Sequence, residues 1–412
     1  MVPILKMRQL RAALAVRELG SAVKAAGKVN LSPPAVLGAI SALEKTLQET
    51  LFERTPQGMP PTAAGVAFCR RIAAGMEHLK AASAEIRPHH PFADQISNVH
   101  IRTLAALLEV NGFSTAARHL GFSQSSIHRT ARELEDLVGC VLWQRQGKMI
   151  QPTLEARRLG YHVDLLMTEL RMGVDEINEL KAQMTGRLVV GASPLARSKW
   201  LPRALALTLA RFPEVNVSVI NTSHAAQLDA LQHGYIDVML GPLQFPAPSA
   251  DIEQELLFED SLSIVVRAAH PLAAGFDSHL DRVSSADLQK LSWILPPHTS
   301  PPRTNFEAFM ASKGLAPPTR VIECISPITI LALLLETDHA AILSARQIEY
   351  ELALHQLKIL GPPLAGSTQP VGMIFRAGFR PTKLCEIFLE DVRTAAAELI
   401  RPDRRESASP GG

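Results

Sequence analysis

The chain has 412 residues, 47% hydrophobic and 20% charged, with a formal net charge of +2. That length and composition support several buried cores, enough for three domains of ordinary size. The longest apolar run, Ile328 to Leu335, is far too short for a membrane span, and charges at Lys6, Arg8 and Arg11 leave no apolar signal region, so the expectation is a cytoplasmic protein with no membrane partner.

Charge is unevenly shared. Residues 1–185 hold 22 Lys+Arg against 17 Asp+Glu, and the remainder holds 20 against 23. The basic half is a modest electrostatic footprint for an anionic partner. Cys69, Cys140, Cys324 and Cys385 lie far apart with no CxxC or Cys/His spacing. They read as small hydrophobes of a reducing compartment, and no metal or other cofactor is expected.

The segment Leu10 to Gly65 recurs without a gap as Ile101 to Ala156, an offset of 91. In the first copy Ala25-Ala26, Val36, Ile40, Leu43 and Leu51-Phe52 keep an apolar scaffold, with Ser32 as a helix cap. Its outward positions on the capped helix are Pro33, Pro34, Leu37, Gly38 and Ser41, none of which offers Arg or Gln chemistry. Two readings stand: a retained fold with lost base readout, or a true second reader using Ser32 and Arg54. Leu37 beside Gly38 could instead make a protein contact. A short stripe of Val66, Cys69, Ala73, Met76 and Leu79 follows and ends at Arg87-Pro-His-His-Pro91. Adjacent His89 and His90 cannot easily converge on one ion, so this is a polar linker.

In the second copy Ile101, Leu104, Leu107 and Leu108 have helical spacing that Asn111-Gly112 ends. Ser114 can cap a short helix with Ala116, Ala117 and Leu120. Gly121 turns the chain, and Ser123 caps a helix burying Ile127, Ala131 and Leu134. Leu142-Trp143 and Met149-Ile150 predict two short strands around a basic turn. Helix, short helix, turn, helix and hairpin is the order of a winged helix-turn-helix, whose second motif helix enters the major groove. Outward on that helix are Gln124, Ser125, His128, Arg129 and Arg132. Gln and Arg can make bidentate contacts to base edges, and Ser or Arg can hold phosphates. Arg145 and Lys148 in the wing suit the backbone alongside.

Leu159, Val163, Leu166, Leu170, Val174, Ile177, Lys181 and Met184 follow three/four spacing, which predicts a long helix pairing as a coiled coil. From Gly186 the pattern becomes short strands with intervening helices: Arg187 to Gly191, Val215 to Asn221, Ile236 to Gly241, Ser261 to Arg267, Trp293 to Leu295, Ala340 to Leu343 and Val371 to Arg376. This predicts an α/β sheet with ligands beyond the strands' carboxyl ends and at helix N-termini. Ser193-Pro194, between the first strand and its helix, can offer a hydroxyl and backbone amides. Arg303 could pair with a ligand carboxylate, or be a surface or interdomain ion pair. The polar tail from Arg401 to Gly412 reads as disordered.

The run from Ser32 to Glu44, with Leu51-Phe52-Glu-Arg54 and Pro61-Thr62-Ala-Ala-Gly65, resembles the N-terminal domain of LysR-type transcriptional regulators. The second copy resembles it too, through Ser123 to Ile127, Leu134-Glu135, Leu142-Trp-Gln-Arg145 and Pro152-Thr153. Two such domains in one chain depart from the usual single one. Gly234-Tyr-Ile-Asp237 and Ala268-Ala-His270-Pro271-Leu272 resemble the family's effector domain.

The fold class this implies is α/β overall: two mainly-α winged helix-turn-helix domains, a linker helix, and a C-terminal effector domain of two Rossmann-like subdomains built like a type II periplasmic binding protein. Expected boundaries are 1–65, the first domain; 66–98, helix and linker; 99–152, the second domain; 153–185, the dimerising helix; and 186–400, the effector domain. Within it, subdomain I covers about 186–260 and 368–400 and subdomain II about 261–367.

The resemblance carries the cleft role onto Ser193, Ser223, His224, Pro296, Thr299, Ser300 and Ser326. The wording Gly191 to Arg197 with Glu336-Thr-Asp338 is similar to the branch controlling a galactose-binding protein, which implies a sugar or small organic acid. The implied function is a sequence-specific, effector-controlled transcriptional regulator and not an enzyme, acting on double-stranded DNA as a homodimer or homotetramer, with RNA polymerase a further partner. The alternative is an architectural DNA-binding protein with a vestigial cleft.

Overall fold

The computed structural model describes residues 5–110, 112–146, 149–275, 283–298 and 300–400. Lys148, Thr299 and the tail from Arg401 lie outside them. No helix among the described residues is long and apolar enough to cross a membrane.

The N-terminal half builds two helical units. The first comprises α1 (Met7–Leu19), α2 (Ala22–Lys28), α3 (Pro33–Leu47) and α4 (Ala63–Ile86). The second comprises α5 (Asn98–Glu109), α6 (Phe113–Leu120), α7 (Gln124–Val138), the hairpin β1 (Trp143–Gln146) with β2 (Met149–Pro152), and α8 (Leu154–Leu180).

Residues offset by 91 do the same structural work in each. Ser32 and Ser123 cap α3 and α7 by accepting from the amides of Ala35 and Ser126. Glu44 Oε1 accepts from the amides of Leu51 and Phe52 at 2.9 and 3.1 Å, and Glu135 Oε1 from those of Leu142 and Trp143 at 2.8 and 3.1 Å. Thr62 and Thr153 cap α4 and α8. Each polar side chain thus satisfies backbone groups that a turn leaves without a partner. The wings differ: the first unit has only isolated bridges, Phe52 with Pro61 and Thr55 with Gly58, in place of a hairpin.

Two sequence expectations need correction here. The stripe after the first unit predicts a short, weak helix, yet α4 is 24 residues long and buries Phe68, Cys69, Ile72, Met76 and Leu79. Its partner is α8 of the same chain. Small residues make the approach possible: a Cβ on Gly75 would lie 2.5 Å from Leu166 Cδ1, and one on Gly173 would lie 2.8 Å from the Phe68 ring. The long helix ends at Leu180, because Lys181 caps it and Ala182 turns at φ 58°, so Met184 falls outside. One continuous apolar core runs through both units.

Arg71, 2% exposed, sits at the centre of this packing. Its Nε and Nη2 donate to Glu176 Oε1 at 2.9 and 2.6 Å, Nη1 donates to Glu169 Oε2 at 3.0 Å, and Nη2 donates to the Arg380 carbonyl at 2.8 Å. A charge this buried is tolerable only when paired and hydrogen-bonded.

The C-terminal half follows as β3 (Arg187–Ala192), α9 (Leu201–Arg211), β4 (Asn216–Ile220), α10 (His224–Gln232), β5 (Val238–Pro242), β6 (Ile252–Asp260) and β7 (Leu262–Arg267). It continues with α11 (Ser285–Lys290), β8 (Ser292–Leu295), α12 (Pro301–Ser312), β9 (Val321–Glu323), α13 (Pro327–Glu336), β10 (His339–Ser344), α14 (Glu349–Ala353), β11 (Leu357–Leu360), β12 (Gln369–Arg376) and α15 (Lys383–Ile400). The strands form two five-stranded sheets, β4-β3-β5-β12-β6 and β11-β7-β10-β8-β9. In the first, β3 runs parallel to β4 and β5, and in the second β8 runs parallel to β10 and β9. Strands β6, β9 and β11 escaped the sequence pattern: β6 carries Glu253, Gln254, Glu255 and Glu259 at the sheet edge, and β9 has three residues.

Helix α8 is bolted to the first sheet. Arg171 Nη2 donates to Asp237 Oδ1 at 2.8 Å, and Asp237 Oδ2 accepts from the Val189 amide at 2.7 Å. Glu179 accepts from the amides of Lys383 and Leu384 at the start of α15. Gly234, at φ 74°, passes so close to Thr168 that a Cβ would lie 2.6 Å from its hydroxyl.

Replacing Arg71 with Met removes the buried cation that Glu169 and Glu176 share and leaves them Arg376 at 4.0 Å and the exposed Arg70, a loss of up to about 3–5 kcal/mol, and should lower Tm clearly in a thermal melt; an unchanged Tm would show that the cluster is not what holds α4 to α8. Burial pushes the Asp175 carboxyl up from 3.8 to about 6, against the opposing pull of Arg171. The folded state therefore binds this proton more tightly than the unfolded one, so Asp175 costs stability at neutral pH and the cost fades as pH falls from about 6 towards 3.8. Asp175→Asn should raise Tm at pH 7.5 and lose that advantage near pH 4, as read in paired melts.

Candidate nucleic-acid interface and effector cleft

On the second unit, α7 presents Gln124, Ser125, Arg129 and Arg132 to solvent, one face of a helix whose other face buries Ile127, Ala131 and Leu134. Arg129 contacts Glu133 at 3.5 Å with both side chains exposed, a pairing too weak to withhold it from a ligand. Ser123 is occupied at the helix start, its hydroxyl 3.0 Å from that of Ser125 and 2.7 Å from that of Ser126. His128 is half-buried: it stacks on Phe113 with ring centroids 3.9 Å apart, supporting α6 against α7, and lines the groove beside Gln124 and Arg132. A groove between α7 and the hairpin is lined by Gln124, Arg132, Trp143 and Arg145, which puts the two cations on either side of it. Arg145 stands exposed on β1, opposite Ile150.

The first unit's face has different chemistry on the same frame. Pro34, Leu37, Gly38, Ala42, Lys45 and Thr46 are the exposed positions of α3. Arg54 Nη2 donates to Ser41 Oγ at 2.5 Å, so the wing cation folds back on its own helix. His90 also finds a role that sequence missed: its Nε2 lies 2.9 Å from the Leu137 carbonyl at the end of α7.

In the C-terminal half, the proposed cleft residues fall at strand exits. Ser193 follows β3 and its hydroxyl accepts from the Ala196 amide, where a π-helical turn, Ala196–Trp200, leads into α9. Pro194 is exposed. Ser223 follows β4 and caps α10, and Ser326 follows β9 and caps α13. His224 opens α10, and burial lowers its pKa. Pro296 leaves β8, and the Ser300 hydroxyl donates to the Pro297 carbonyl just before α12.

The parallel strands of each sheet deliver these loops to one edge, and the two edges meet. Lys199, beyond β3, pairs with Glu349, beyond β10. Ser344 at the end of β10 donates to Asp260 Oδ1 at 2.8 Å, and Arg346 binds the same oxygen at 3.0 Å, at the crossing between the sheets. Arg303 is 2% exposed and donates to Glu307 at 2.6 Å. Its carboxylate partner is therefore internal, but Nη1 is buried with no protein partner, as is Nε of Arg197 beyond β3. Gln227 Oε1 and Asp260 Oδ2 are buried without partners as well. Groups of three or more His, Cys, Asp or Glu placed to hold a metal are absent among the described residues.

The sequence profile of the LysR substrate binding domain matches residues 181–397. The profile of the bacterial regulatory helix-turn-helix protein, lysR family, matches residues 7–66 and 99–157. The HTH-type transcriptional regulator GalR of Pseudomonas putida is 29% identical over 382 residues, 92% of this chain and 94% of that protein. PcaQ of Agrobacterium fabrum, also an HTH-type transcriptional regulator, is 29% identical over 302 residues, 73% of this chain and 95% of its own. Among solved structures, full-length CbnR complexed with its target DNA superposes with TM-score 0.50 at 21% identity, covering 72% of this chain and 99% of that one. LysG of Corynebacterium glutamicum with bound effector Arg gives TM-score 0.50 at 18% identity, covering 74% and 99%. The profile matches extend over both halves of the fold described above: the chain belongs to the LysR family and is a DNA-binding transcriptional regulator with an effector-binding domain.

Proposed function

We propose that the two helical units are copies of one winged helix-turn-helix and that only the second reads bases. The observation that carries this is the contrast between Gln124, Arg129 and Arg132, exposed on α7, and Pro33, Gly38 and Ser41, which hold the same positions of α3 at the offset of 91. The alignment with GalR supports two units as a shared feature, since it leaves out only 8% of the chain. The first unit then serves as a scaffold for α4. DNA as the ligand places the protein in the cytoplasm, and contacts between effector domains would assemble it into a homo-oligomer on its operator. Replacing Arg132 with Ala should remove a base contact worth about 1–3 kcal/mol and erase the specific footprint while leaving the fold intact. Leu37→Ala should leave the footprint as it is. A footprint lost with Leu37→Ala and kept with Arg132→Ala would reverse the assignment.

The effector we infer is a small carboxylate held between the sheets. Its support is two buried guanidinium nitrogens without protein partners, Arg197 Nε beyond β3 and Arg303 Nη1 at the start of α12, together with the Ser-capped starts of α10 and α13 at the exits of β4 and β9, since both features favour an anion. Ligand that binds only the folded protein raises Tm, by about 2.7 kcal/mol of stabilisation at a hundredfold Kd. Aliphatic and aromatic carboxylates should therefore raise Tm, and Arg197→Gln should weaken the effect. Shifts from neutral sugars that survive Arg197→Gln would favour a polyhydroxyl effector instead. No shift from any compound in either class would favour an architectural protein.

A further inference from the structure

The contacts between α4 and α8 obey a rule that their shared offset reveals. In a twofold arrangement of two copies, residue i of one contacts j of the other and j contacts i, and residues on the axis contact their own equivalents. Met7 and Asn98, offset by 91, meet directly: the Met7 amide donates to Asn98 Oδ1 at 2.5 Å. Gly75 and Leu166, also offset by 91, touch at the middle of the helix pair.

Away from these two points, contacts come in reciprocal pairs. Arg71 binds Glu176, and the equivalent positions, His162 and Glu85, pair at 3.1 Å. Arg71 also binds Glu169, while their equivalents His162 and His78 line one cavity. At the far ends, Lys181 Nζ donates to the Gln48 carbonyl beyond α3 at 3.0 Å, and His90, at Lys181's equivalent position, meets the end of α7.

We propose that one chain is the covalent counterpart of a twofold dimer of winged units: α4 fills the place that a second copy's α8 would take, so the apolar stripe of α8 is closed to other chains. The proposal rests on reading the two units as copies. The stripe's burial argues the same way, because Leu159, Val163, Leu166, Leu170 and Ile177 are already 3% exposed or less within a single chain. A second α8 would have to displace α4 and strip Arg71 of both carboxylates. One chain thus presents a paired platform with a reading unit at one end and a non-reading unit at the other, and further assembly falls to other surfaces.

The test uses Glu85 and Arg158, whose side chains meet at 3.0 Å across the helix pair and are 45% and 40% exposed. The parent is the full chain with Cys140 and Cys324 changed to Ser; Cys69 and Cys385 remain, since burial holds both thiols protonated. Glu85→Cys with Arg158→Cys is treated with a short bis-maleimide, and linked peptides are mapped by mass spectrometry. The expected product is a link within one chain, at single-chain mass in denaturing gels, with a yield independent of protein concentration. A link between residues 85 and 158 at two-chain mass would overturn the proposal, because α4 would then pair with another chain's α8. No link in a double variant with the parent's Tm would overturn it as well. An error in choosing the reading helix would alter the footprint and leave this link unchanged.

Discussion

One guanidinium holds three parts of this protein in register. Arg71 leaves α4, binds Glu169 and Glu176 two turns apart on α8, and reaches the Arg380 carbonyl beside the start of α15. Apolar packing alone would let two helices slide, since hydrophobic burial is not directional. A buried cation with two fixed acceptors does not allow that, because any slip leaves a charge unpaired in a dry interior. Arg70 and Arg376 approach the same two carboxylates, Arg70 at Glu176 and Arg376 at Glu169.

From that fixed point the two helical units differ in the surfaces they present. Their frames use the same devices: a Ser cap, a Glu that gathers two turn amides, and a Thr that starts the long helix. Those residues satisfy backbone groups and have no bearing on what the outward face touches. The faces are therefore free to differ, and a fold by itself says nothing of what its surface binds. Proline, glycine and serine on α3 replace the glutamine and arginines of α7, while Val36, Ile40 and Leu43 of the one and Ile127, Ala131 and Leu134 of the other stay buried.

The effector half is joined to this platform through polar contacts of short reach. Arg171 grips Asp237, which in turn holds the amide of Val189 on β3, and Glu179 caps α15. His233 meets Asp164 of α8 at 2.9 Å, and that hydrogen bond raises its pKa despite burial. The sheet that carries Ser193 and Ser223 at its strand exits is thus the one that grips α8. A ligand that favours one arrangement of the two sheets acts on α8 through these contacts, with a strength limited by its preference for that arrangement.

The sequence by itself determined the helix order of the N-terminal half with the Ser caps of α3 and α7, and the alternation of strands and helices that follows, because each rests on local spacing or on a residue that serves its own turn. It left open what depends on packing. The partners of His128 and Arg54 are Phe113 and Ser41. Arg303, itself buried, finds its carboxylate in Glu307, one turn along its own helix. The short stripe of α4 looked weak because glycine and alanine add little apolar signal, yet those small side chains are what let α8 come close. Only the tertiary structure showed that α8 is covered from within the chain, since periodicity reports that a face will be buried and carries no information about which helix buries it.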